Sequence, residues 1–330
     1  MSDNDRIVDS FLVVDAHSDS LIRRRNDESP VDLAGANPLY DVDLPRLRAG
    51  GVNCLFCMVG DSELEASLAL IDAAYQMCDA HSEDFALCRS RAEIRSAYAE
   101  NKIAIVLTIE GQSMFGENIG HLRTWHRLGV RVASITHGGA RRPELQHTES
   151  FFGYLEPDER VTLRRHSRGL TGFARESLGE MARLRIPVDL AHINDTAFWE
   201  VLEEAEGPVC YTHGACYSLC PHSRALTDEM MKALAARGGV MGIAFYRGFI
   251  DRETPSIERL GDHFMHALEV MGSEHVGIGT DFDGLPRWSA PIPHDVAALD
   301  QVFQVLARRG VEEVTLRRIA GENFLNLLVP

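Results

Sequence analysis

Histidines and carboxylates stand directly after short apolar segments at several points of this chain. The first such place is Phe11-Leu-Val-Val-Asp-Ala-His17-Ser-Asp19, where an apolar run leads into a His-x-Asp tripeptide. A short apolar run rich in valine predicts a buried parallel strand. Because residues two apart on a strand point the same way, His17 and Asp19 are expected to project together from its end. An imidazole and a carboxylate placed in this way form half of a divalent metal site.

Apolar segments that end in a histidine or a carboxylate occur at further points of the chain, which indicates a fold of alternating strands and helices. Apolar segments predict eight strands, and helical spacing of apolar residues falls between most of them. Strands that alternate with helices favour an α/β fold with a parallel sheet, and eight units favour a (β/α)8 barrel of the TIM type. The predicted strands are 11–17, 51–59, 102–110, 129–137, 186–192, 208–213, 239–245 and 275–281. The predicted helices are 62–80, 119–128, 171–184, 194–204, 227–237, 257–271, 294–309 and 314–328.

A single catalytic domain over 1–330 is predicted, because no internal repeat and no linker-like composition divides the sequence. Two stretches interrupt the alternation of strands and helices. The segment 23–50 is rich in Pro, Asn and Gly and is expected to be irregular. The polar segment 138–169 is expected to be a long loop, and such loops on the catalytic face of a barrel often act as lids.

The residues at the predicted strand ends have the chemistry of a divalent metal site. The carboxyl ends of barrel strands meet at one face, where the active site lies. Imidazole and carboxylate donors suit divalent ions such as Zn²⁺ better than Cu(I) or an iron–sulfur cluster. A carboxylate between two histidine-containing groups can bridge two ions about 3.5–4 Å apart that share an activated water or hydroxide. A further carboxylate without a metal could move a proton, and Asp281 suits that role. The side chains predicted to meet at this face are His17, Asp19, Glu110, His137, His192, His213 and Asp281.

Composition and charge narrow the class of protein. Hydrophobic residues make up 45% of the chain and charged residues 25%, as in ordinary globular proteins. The net charge of −16, with no basic patch, argues against nucleic acid or an anionic membrane as partner. The polar, acidic start predicts no secretory signal, and no apolar run approaches the length of a membrane span. Seven cysteines in such a chain predict reduced thiols and a cytoplasmic location.

Longer stretches around the strand ends carry a family pattern. They are Val14-Asp-Ala-His-Ser-Asp19, Ile109-Glu-Gly111, Gly129-Val-Arg-Val-Ala-Ser-Ile-Thr-His137, Val188-Asp-Leu-Ala-His192, Tyr211-Thr-His213 through Arg224, Gly279-Thr-Asp-Phe-Asp-Gly284 and Gly321-Glu-Asn-Phe324. In these stretches the chain resembles the membrane (renal) dipeptidase family of binuclear zinc peptidases, and the likeness covers nearly all of it. The spacing of 21 residues from His192 to His213, and of 11 from His213 to Arg224, fits the family.

The resemblance implies a barrel of the metallo-dependent hydrolase type that holds two zinc ions per chain. His17 and Asp19 would bind one ion, and His192 and His213 would bind the other. Glu110 would bridge both ions.

The resemblance also implies roles toward the substrate, which in this family is a dipeptide, commonly with a D-residue at its C-terminal position. Asp281 would carry a proton from the attacking water to the leaving amine. His137 would polarise the scissile carbonyl or stabilise the tetrahedral intermediate. Arg224 would bind the terminal carboxylate of the substrate through its guanidinium fork. Homodimerisation is the family expectation.

The sequence departs from the family pattern at several positions that could touch the substrate but not the metal. Ala225 follows Arg224 where the family usually has Asn, and Gln112 stands where Gly is usual. Ser18 replaces a common Asn, and the loop 138–143 differs in composition. These departures leave the metal chemistry intact and leave the preferred substrate open.

Arg141 and Arg142 lie within the atypical loop. They could recognise an additional acidic group on the substrate, or they could be solvated surface charges.

Three other functions remain open from the sequence. The same metal pair could act on an N-acyl amino acid, a lactam or another small amide. A non-catalytic barrel homologue would be expected to lose a metal ligand or the proton carrier, whereas all of these residues are present here. A mononuclear deaminase is disfavoured, because the first strand carries His-x-Asp rather than His-x-His.

Overall fold

Parallel strands form the centre of the protein, and each strand pair recorded among the described residues is parallel. The computed structural model describes residues 6–60, 63–111, 114–137, 148–285 and 289–330. The strands are β1 (Val13–Ser18), β2 (Val52–Met58), β3 (Phe85–Leu87), β4 (Ile103–Ile109), β5 (Val130–Ser134), β6 (Val188–Asp189), β7 (Val209–Cys216), β8 (Ala225–Leu226), β9 (Val240–Ile243) and β10 (Val276–Ile278). Eight of them follow the order β1-β2-β4-β5-β6-β7-β9-β10, with β3 beside β4 and β8 beside β7. Each predicted strand coincides with one of these eight, so the predicted α/β barrel is confirmed.

The barrel closes between its first and last strands. Ser18 at the end of β1 forms a parallel bridge with Phe282, just beyond β10. Two backbone hydrogen bonds extend this seam: Asp281 N donates to His17 O at 3.2 Å, and Asp19 N donates to Phe282 O at 3.0 Å. Residues that follow the first and the last barrel strand therefore meet at the face where the strands end.

Helices connect the strands, and the predicted helices are found with small shifts at their ends. The last two are interrupted: 294–309 contains a 3₁₀ turn before its helix, and 314–328 contains a π-helical turn between two helices. The helices are α1 (Ser20–Asn26), α2 (Leu44–Gly50), α3 (Leu64–Ala80), α4 (Arg91–Ala99), α5 (Ile119–Arg127), α6 (Pro157–His166), α7 (Gly172–Leu184), α8 (Asp195–Glu204), α9 (Asp228–Ala236), α10 (Arg247–Ile250), α11 (Ile257–Met271), α12 (Asp300–Arg308), α13 (Glu313–Arg317) and α14 (Asn323–Leu327).

Helices also occupy part of the segment 23–50, which was predicted to be irregular. At the start of α2, the Asp43 side chain accepts a hydrogen bond from Arg46 N at 3.0 Å, and Pro45 lies in the first turn. Proline favours a helix there, because the N–H that it lacks would have no partner in the first turn. Since α1 extends into the same segment, only 27–43 lacks helix and strand.

The predicted loop 138–169 contains a helix as well, although 138–147 lie outside the described residues. The only buried side chain of α6 is Arg160, whose guanidinium donates to both carboxylate oxygens of Asp195 at 2.9 and 2.8 Å. Because α6 has no apolar stripe, the spacing of hydrophobic residues gives no sign of it.

Two expectations drawn from composition can be compared with the structure. The seven cysteines are all free and buried, as expected of reduced thiols. Within the described ranges, we find no helix with the length and apolar character required to cross a bilayer.

Strands β7 and β10 approach each other so closely that one position requires glycine. A Cβ atom on Gly279, directly after β10, would lie 1.7 Å from Thr212 O and 2.8 Å from Thr212 C. Real carbon atoms never approach a backbone oxygen so closely, so a side chain here would push the two strands apart.

Replacing Gly279 with alanine is therefore expected to destabilise the fold by at least about 2 kcal/mol. Gly179 in α7 is the matched control, since a Cβ there meets no atom within 4 Å. Gly179→Ala should stabilise the protein by up to about 1 kcal/mol, because alanine has the higher helix propensity. Urea unfolding of both variants measures the two effects. An unchanged midpoint for Gly279→Ala would contradict the close approach.

Candidate metal centre and active site

The structure brings all seven predicted side chains together where the barrel strands end. They form three groups, and within each group the potential metal-binding atoms lie within 4.8 Å of one another. The groups are His17 with Glu110 and His213, Glu110 with His137 and His192, and His17 with Asp19 and Asp281.

Glu110 lies at the centre of this constellation, directly after β4, and is 2% exposed. Its Oε1 is 2.7 Å from His192 Nε2 and 3.2 Å from His213 Nε2. Its Oε2 is 3.7 Å from His17 Nε2 and 3.5 Å from His137 Nε2. Burial alone would raise the pKa of this carboxyl, but the surrounding histidines outweigh burial and hold it well below its usual value. The two oxygens of one ionised carboxylate therefore face two different pairs of imidazoles.

Three carboxylates surround the His17 ring. In addition to Glu110, Asp19 Oδ2 lies 3.8 Å and Asp281 Oδ1 lies 3.9 Å from His17 Nε2. Burial opposes protonation of His17, but the carboxylates, Glu110 first, outweigh it and raise its pKa to about 10. Neither His17 Nε2 nor Asp19 Oδ1 has a hydrogen-bond partner among the residues that the structure describes, although both atoms are buried. This part of the site has negative charge and free ligand atoms, and it attracts a cation.

His192 and His213 are held as neutral imidazoles. Their Nε2 atoms are 3.2 Å apart. Burial lowers the pKa of both rings well below the usual value, helped by the charge of Arg224 at His192 and by that of His17 at His213. Neutral imidazole is the form that binds a metal ion.

A buried Asp–Thr pair fixes the His213 ring from behind. Asp189, in β6, accepts hydrogen bonds from Thr212 Oγ1 at 2.6 Å and from Thr212 N at 2.9 Å. The Thr212 hydroxyl lies 2.8 Å from His213 Nδ1. Because that hydroxyl donates its hydrogen to Asp189, it accepts the Nδ1 hydrogen of His213. The lone pair of the ring is then left on Nε2, which faces Glu110.

A second Asp–Thr pair has the same form at the seam where the barrel closes. Asp15, in β1, accepts from Thr280 Oγ1 at 2.6 Å and from Thr280 N at 2.8 Å. Here the threonine hydroxyl accepts from Phe282 N at 3.2 Å instead of from an imidazole. The two pairs join neighbouring strands one layer below the site.

Two site residues adopt backbone conformations that are rare outside glycine. His192 has φ of 68° and Asp281 has φ of 63°, both in the left-handed region. Each such residue costs about 1–3 kcal/mol, and residues of this kind concentrate at functional sites. Gly284 keeps the space beside Asp281 and Asp19 open, since a Cβ there would lie 2.2 Å from Asp19 Oδ2 and 2.5 Å from Asp281 Oδ1.

Asp281 and His137 differ from the other site residues in their surroundings. Burial, with the neighbouring charges of Asp19 and Glu110, raises the pKa of Asp281 to about 7, although His17 and Arg224 act in the opposite direction. A carboxyl with this pKa can accept and return a proton near neutral pH. The His137 side chain is 20% exposed, more than the side chains of the other three site histidines.

Arg224 is a buried cation. It is 2% exposed, and no ion pair joins it to an acidic side chain in the described part of the chain. Its Nη2 donates to His213 O at 3.4 Å, and its Nε has no hydrogen-bond partner among the same residues. A buried guanidinium with unused donors is suited to binding an anion.

The structure describes some of the positions that depart from the family pattern. Ala225, next to Arg224, belongs to an apolar cluster with Ala215 and Phe249, so no polar group occupies that place. Ser18 is buried and its Oγ lies 2.7 Å from Ser20 Oγ. Gln112 and the loop 138–143, with Arg141 and Arg142, lie outside the described residues.

The sequence-based prediction placed His222 near Arg224 but did not include the aromatic residues Tyr246 and Phe249. His222 is 2% exposed, its Nδ1 accepts a hydrogen bond from Arg224 N at 3.1 Å, and its ring packs against Phe249. Tyr246 and Phe249 follow the end of β9, so the rule that locates site residues at strand ends could have found them.

Comparison with known proteins agrees with the geometry of the site. The family model of the membrane dipeptidases, peptidase family M19, matches residues 1–329. The chain belongs to the membrane dipeptidase family. The resemblance seen in the sequence is thereby confirmed.

Relatives of this family member cover most of its chain. Dipeptidase verJ of Clonostachys rogersoniana is 29% identical over 265 residues, which are 80% of this chain and 65% of that protein, just under two thirds of it. The solved structure of dipeptidase AC, a metallopeptidase of family M19, has 26% identity and a TM-score of 0.85 over 96% of this chain and 97% of its own. A metallopeptidase from Rhodobacter sphaeroides, liganded with a phosphinate mimic of L-Ala-D-Ala, has the same fold, with 24% identity and a TM-score of 0.85 over 96% of this chain and 98% of its own.

The buried imidazole of His222 predicts how stability depends on pH. Burial and the charge of Arg224 lower its pKa from 6.5 to about 3. Between these values the unfolded chain binds a proton that the folded chain does not, so stability falls as pH falls through this window. His222→Asn keeps a hydrogen-bond acceptor for Arg224 N but removes the titration. The slope of unfolding free energy against pH should drop by up to about 1.4 kcal/mol per pH unit. Denaturation series at pH 4 to 7 measure it, and an unchanged slope would contradict a neutral His222.

Proposed function

We propose that this protein is a metal-dependent dipeptidase that cleaves dipeptides with a free C-terminal carboxylate, including those with a C-terminal D-residue. The observation that carries the proposal is the position of Glu110, whose two oxygens face two pairs of histidines. In a member of the membrane dipeptidase family, a carboxylate in this position fits a centre of two metal ions. The activities named for dipeptidases verJ and AC support the same reaction.

The donor atoms fit two divalent ions, and we assign both as Zn²⁺. His17 and Asp19 would hold one ion, His192 and His213 the other, and Glu110 would bridge them. Imidazole nitrogens and carboxylate oxygens are the common ligands of zinc at catalytic sites. The unpartnered, buried His17 Nε2 and Asp19 Oδ1 support the first half of this assignment. The neutral state of His192 and His213 supports the second.

The bound ions would supply a water of lowered pKa and a Lewis acid for the scissile carbonyl. The chain itself would orient the substrate. The Arg224 guanidinium would bind the C-terminal carboxylate, because its charge is buried and its Nε donor is unused. His137, the most exposed of the site histidines, would donate to the carbonyl oxygen as negative charge develops on it.

Asp281 would move the proton. Its pKa of about 7 in this surrounding allows it to take a proton from the attacking water and deliver it to the leaving amine. Its left-handed backbone, with φ of 63°, and the absence of a side chain at Gly284 keep the carboxylate directed at the site.

The structure also bears on the alternative substrates. An N-acyl amino acid offers Arg224 the same terminal carboxylate, so the residues around that end cannot separate it from a dipeptide. Direct comparison of substrates makes that distinction. Homodimerisation and a cytoplasmic location stay predictions.

Hydrolysis of a panel of L-Xaa-L-Xaa and L-Xaa-D-Xaa dipeptides by zinc-loaded protein tests the proposal. We expect turnover with two ions bound per chain, no turnover by Glu110→Gln, and kcat reduced by about 10²–10⁴ in Asp281→Asn with the metal content unchanged. Metal analysis accompanies each assay.

Each other outcome would contradict a different part of the proposal. Two bound ions without turnover of any dipeptide, but with turnover of N-acyl amino acids, would replace the substrate and keep the site. One bound ion would contradict the bridging role of Glu110. Absence of both metal and turnover would indicate a non-catalytic homologue.

The hydrogen bond behind His213 predicts a difference between two matched variants. Thr212→Val removes the hydroxyl that holds His213 Nδ1, and we expect zinc affinity to fall about 10–100-fold. Thr280→Val removes the equivalent hydroxyl of the Asp15–Thr280 pair, which contacts Phe282 N instead of an imidazole. Zinc affinity should therefore change by less than about threefold. Competition with a chelator measures affinity, and thermal unfolding of both variants controls for the shared loss of a buried hydrogen bond. Equal affinities would contradict the role of Thr212.

A further inference from the structure

Four aromatic rings form a group beside Arg224, which we call the aromatic collar: Phe152, His222, Tyr246 and Phe249. They come from the segments that follow β5, β7 and β9, all at the face where the barrel strands end. Phe249 lies 4.7 Å from Tyr246 and 4.7 Å from His222, measured between ring centroids. Phe152 lies 4.9 Å from His222. The guanidinium carbon of Arg224 is 5.6 Å from the Phe249 centroid, so the collar adjoins the buried cation.

The outermost ring of the collar is exposed, yet its backbone is held in place. Phe152 is 64% exposed, whereas Phe249 and His222 are buried. The neighbouring backbone pairs with the segment after β7: Ser223 N donates to Gly153 O at 2.9 Å, and Ser223 Oγ donates to Phe151 O at 2.9 Å. A large apolar ring presented on a fixed backbone next to other aromatic rings is typical of a binding surface.

The charge of this region complements one end of an amino acid. No collar side chain is acidic, and His222 is neutral because of burial and Arg224. Arg224 is a buried cation beside the collar, and no acidic side chain among the described residues forms an ion pair with it. A carboxylate at the guanidinium and an apolar group among the rings would satisfy both parts of the region.

Covalent geometry connects these two parts in a single residue. In an amino acid the carboxylate carbon and Cβ are both bonded to Cα, so they are about 2.5 Å apart. When Arg224 binds the carboxylate of a C-terminal residue, the side chain of that residue starts within a few ångströms of the guanidinium. The Phe249 ring of the collar lies at such a distance, with its centroid 5.6 Å from the guanidinium carbon.

We propose that the aromatic collar binds the side chain of the C-terminal substrate residue and makes the enzyme prefer dipeptides in which that residue is large and apolar, above all aromatic. The inference rests on the proposed function, because Arg224 must hold the substrate carboxylate. It adds a substrate class that the metal site alone does not specify.

Paired substrates and a matched variant test the collar. We expect kcat/KM for Ala-Phe and Ala-Leu to exceed that for Ala-Ala, each with the C-terminal enantiomer that the enzyme accepts. Phe152→Ala should lower kcat/KM for Ala-Phe about tenfold, mainly through KM, and leave Ala-Ala nearly unchanged. Phe152→Tyr should restore the preference. Val161→Ala is the control, because it also removes an exposed apolar side chain, 50% exposed, from outside the collar.

Equilibrium binding of phenylalanine and alanine, the C-terminal products, separates failure of the collar from failure of the proposed reaction. We expect tighter binding of phenylalanine to the metal-loaded protein, with the difference lost in Phe152→Ala and kept in Val161→Ala. Dipeptide turnover without this preference, or an equal loss for every substrate in Phe152→Ala, would overturn the collar. Selective binding of phenylalanine without dipeptide turnover would keep the collar and overturn the reaction. Equal binding of both amino acids would overturn the collar whether or not dipeptides are cleaved.

Discussion

A carboxylate buried at the centre of a barrel has to be surrounded by positive charge or hydrogen-bond donors, and this requirement organises the site around Glu110. Four histidines lie around its two oxygens, two beside each oxygen. The same carboxylate repels Asp19 and Asp281, which approach because His17 lies between them. A divalent cation bound here would offset negative charge of these three carboxylates.

Rigid support below the site makes this crowding possible. The pairs Asp189–Thr212 and Asp15–Thr280 join adjacent strands through short hydrogen bonds, one layer beneath the metal-binding atoms. They hold the ends of four strands in register, so the strained backbone of His192 and Asp281 does not relax. The hydrogen-bonded pairs of the lower layer thus hold the left-handed backbone of His192 and Asp281 in the candidate site.

The strand-end rule located the core of the site from the sequence, because a parallel barrel leaves one face for polar residues at the carboxyl ends of its strands. Parts that depend on other signals were not predictable in this way. Helix α6 is held by the single buried Arg160 and carries no apolar period. The aromatic collar joins loops that are distant in sequence, and only the folded barrel places Phe152 next to Phe249. Ala225 was recognised as a departure, but its apolar surroundings are visible only in three dimensions.

Closure of the barrel between β1 and β10 has a consequence for synthesis of the protein. Ser18 and Phe282, which join at the seam, are 264 residues apart in the sequence. His17 and Asp19 leave the ribosome early, but Asp281 and the strand that completes the ring emerge only after the other site residues. During translation His17 and Asp19 are therefore exposed without the residues that surround them in the folded barrel. The candidate metal site is complete only after the segment that ends in Phe282 has been synthesised and has paired with β1.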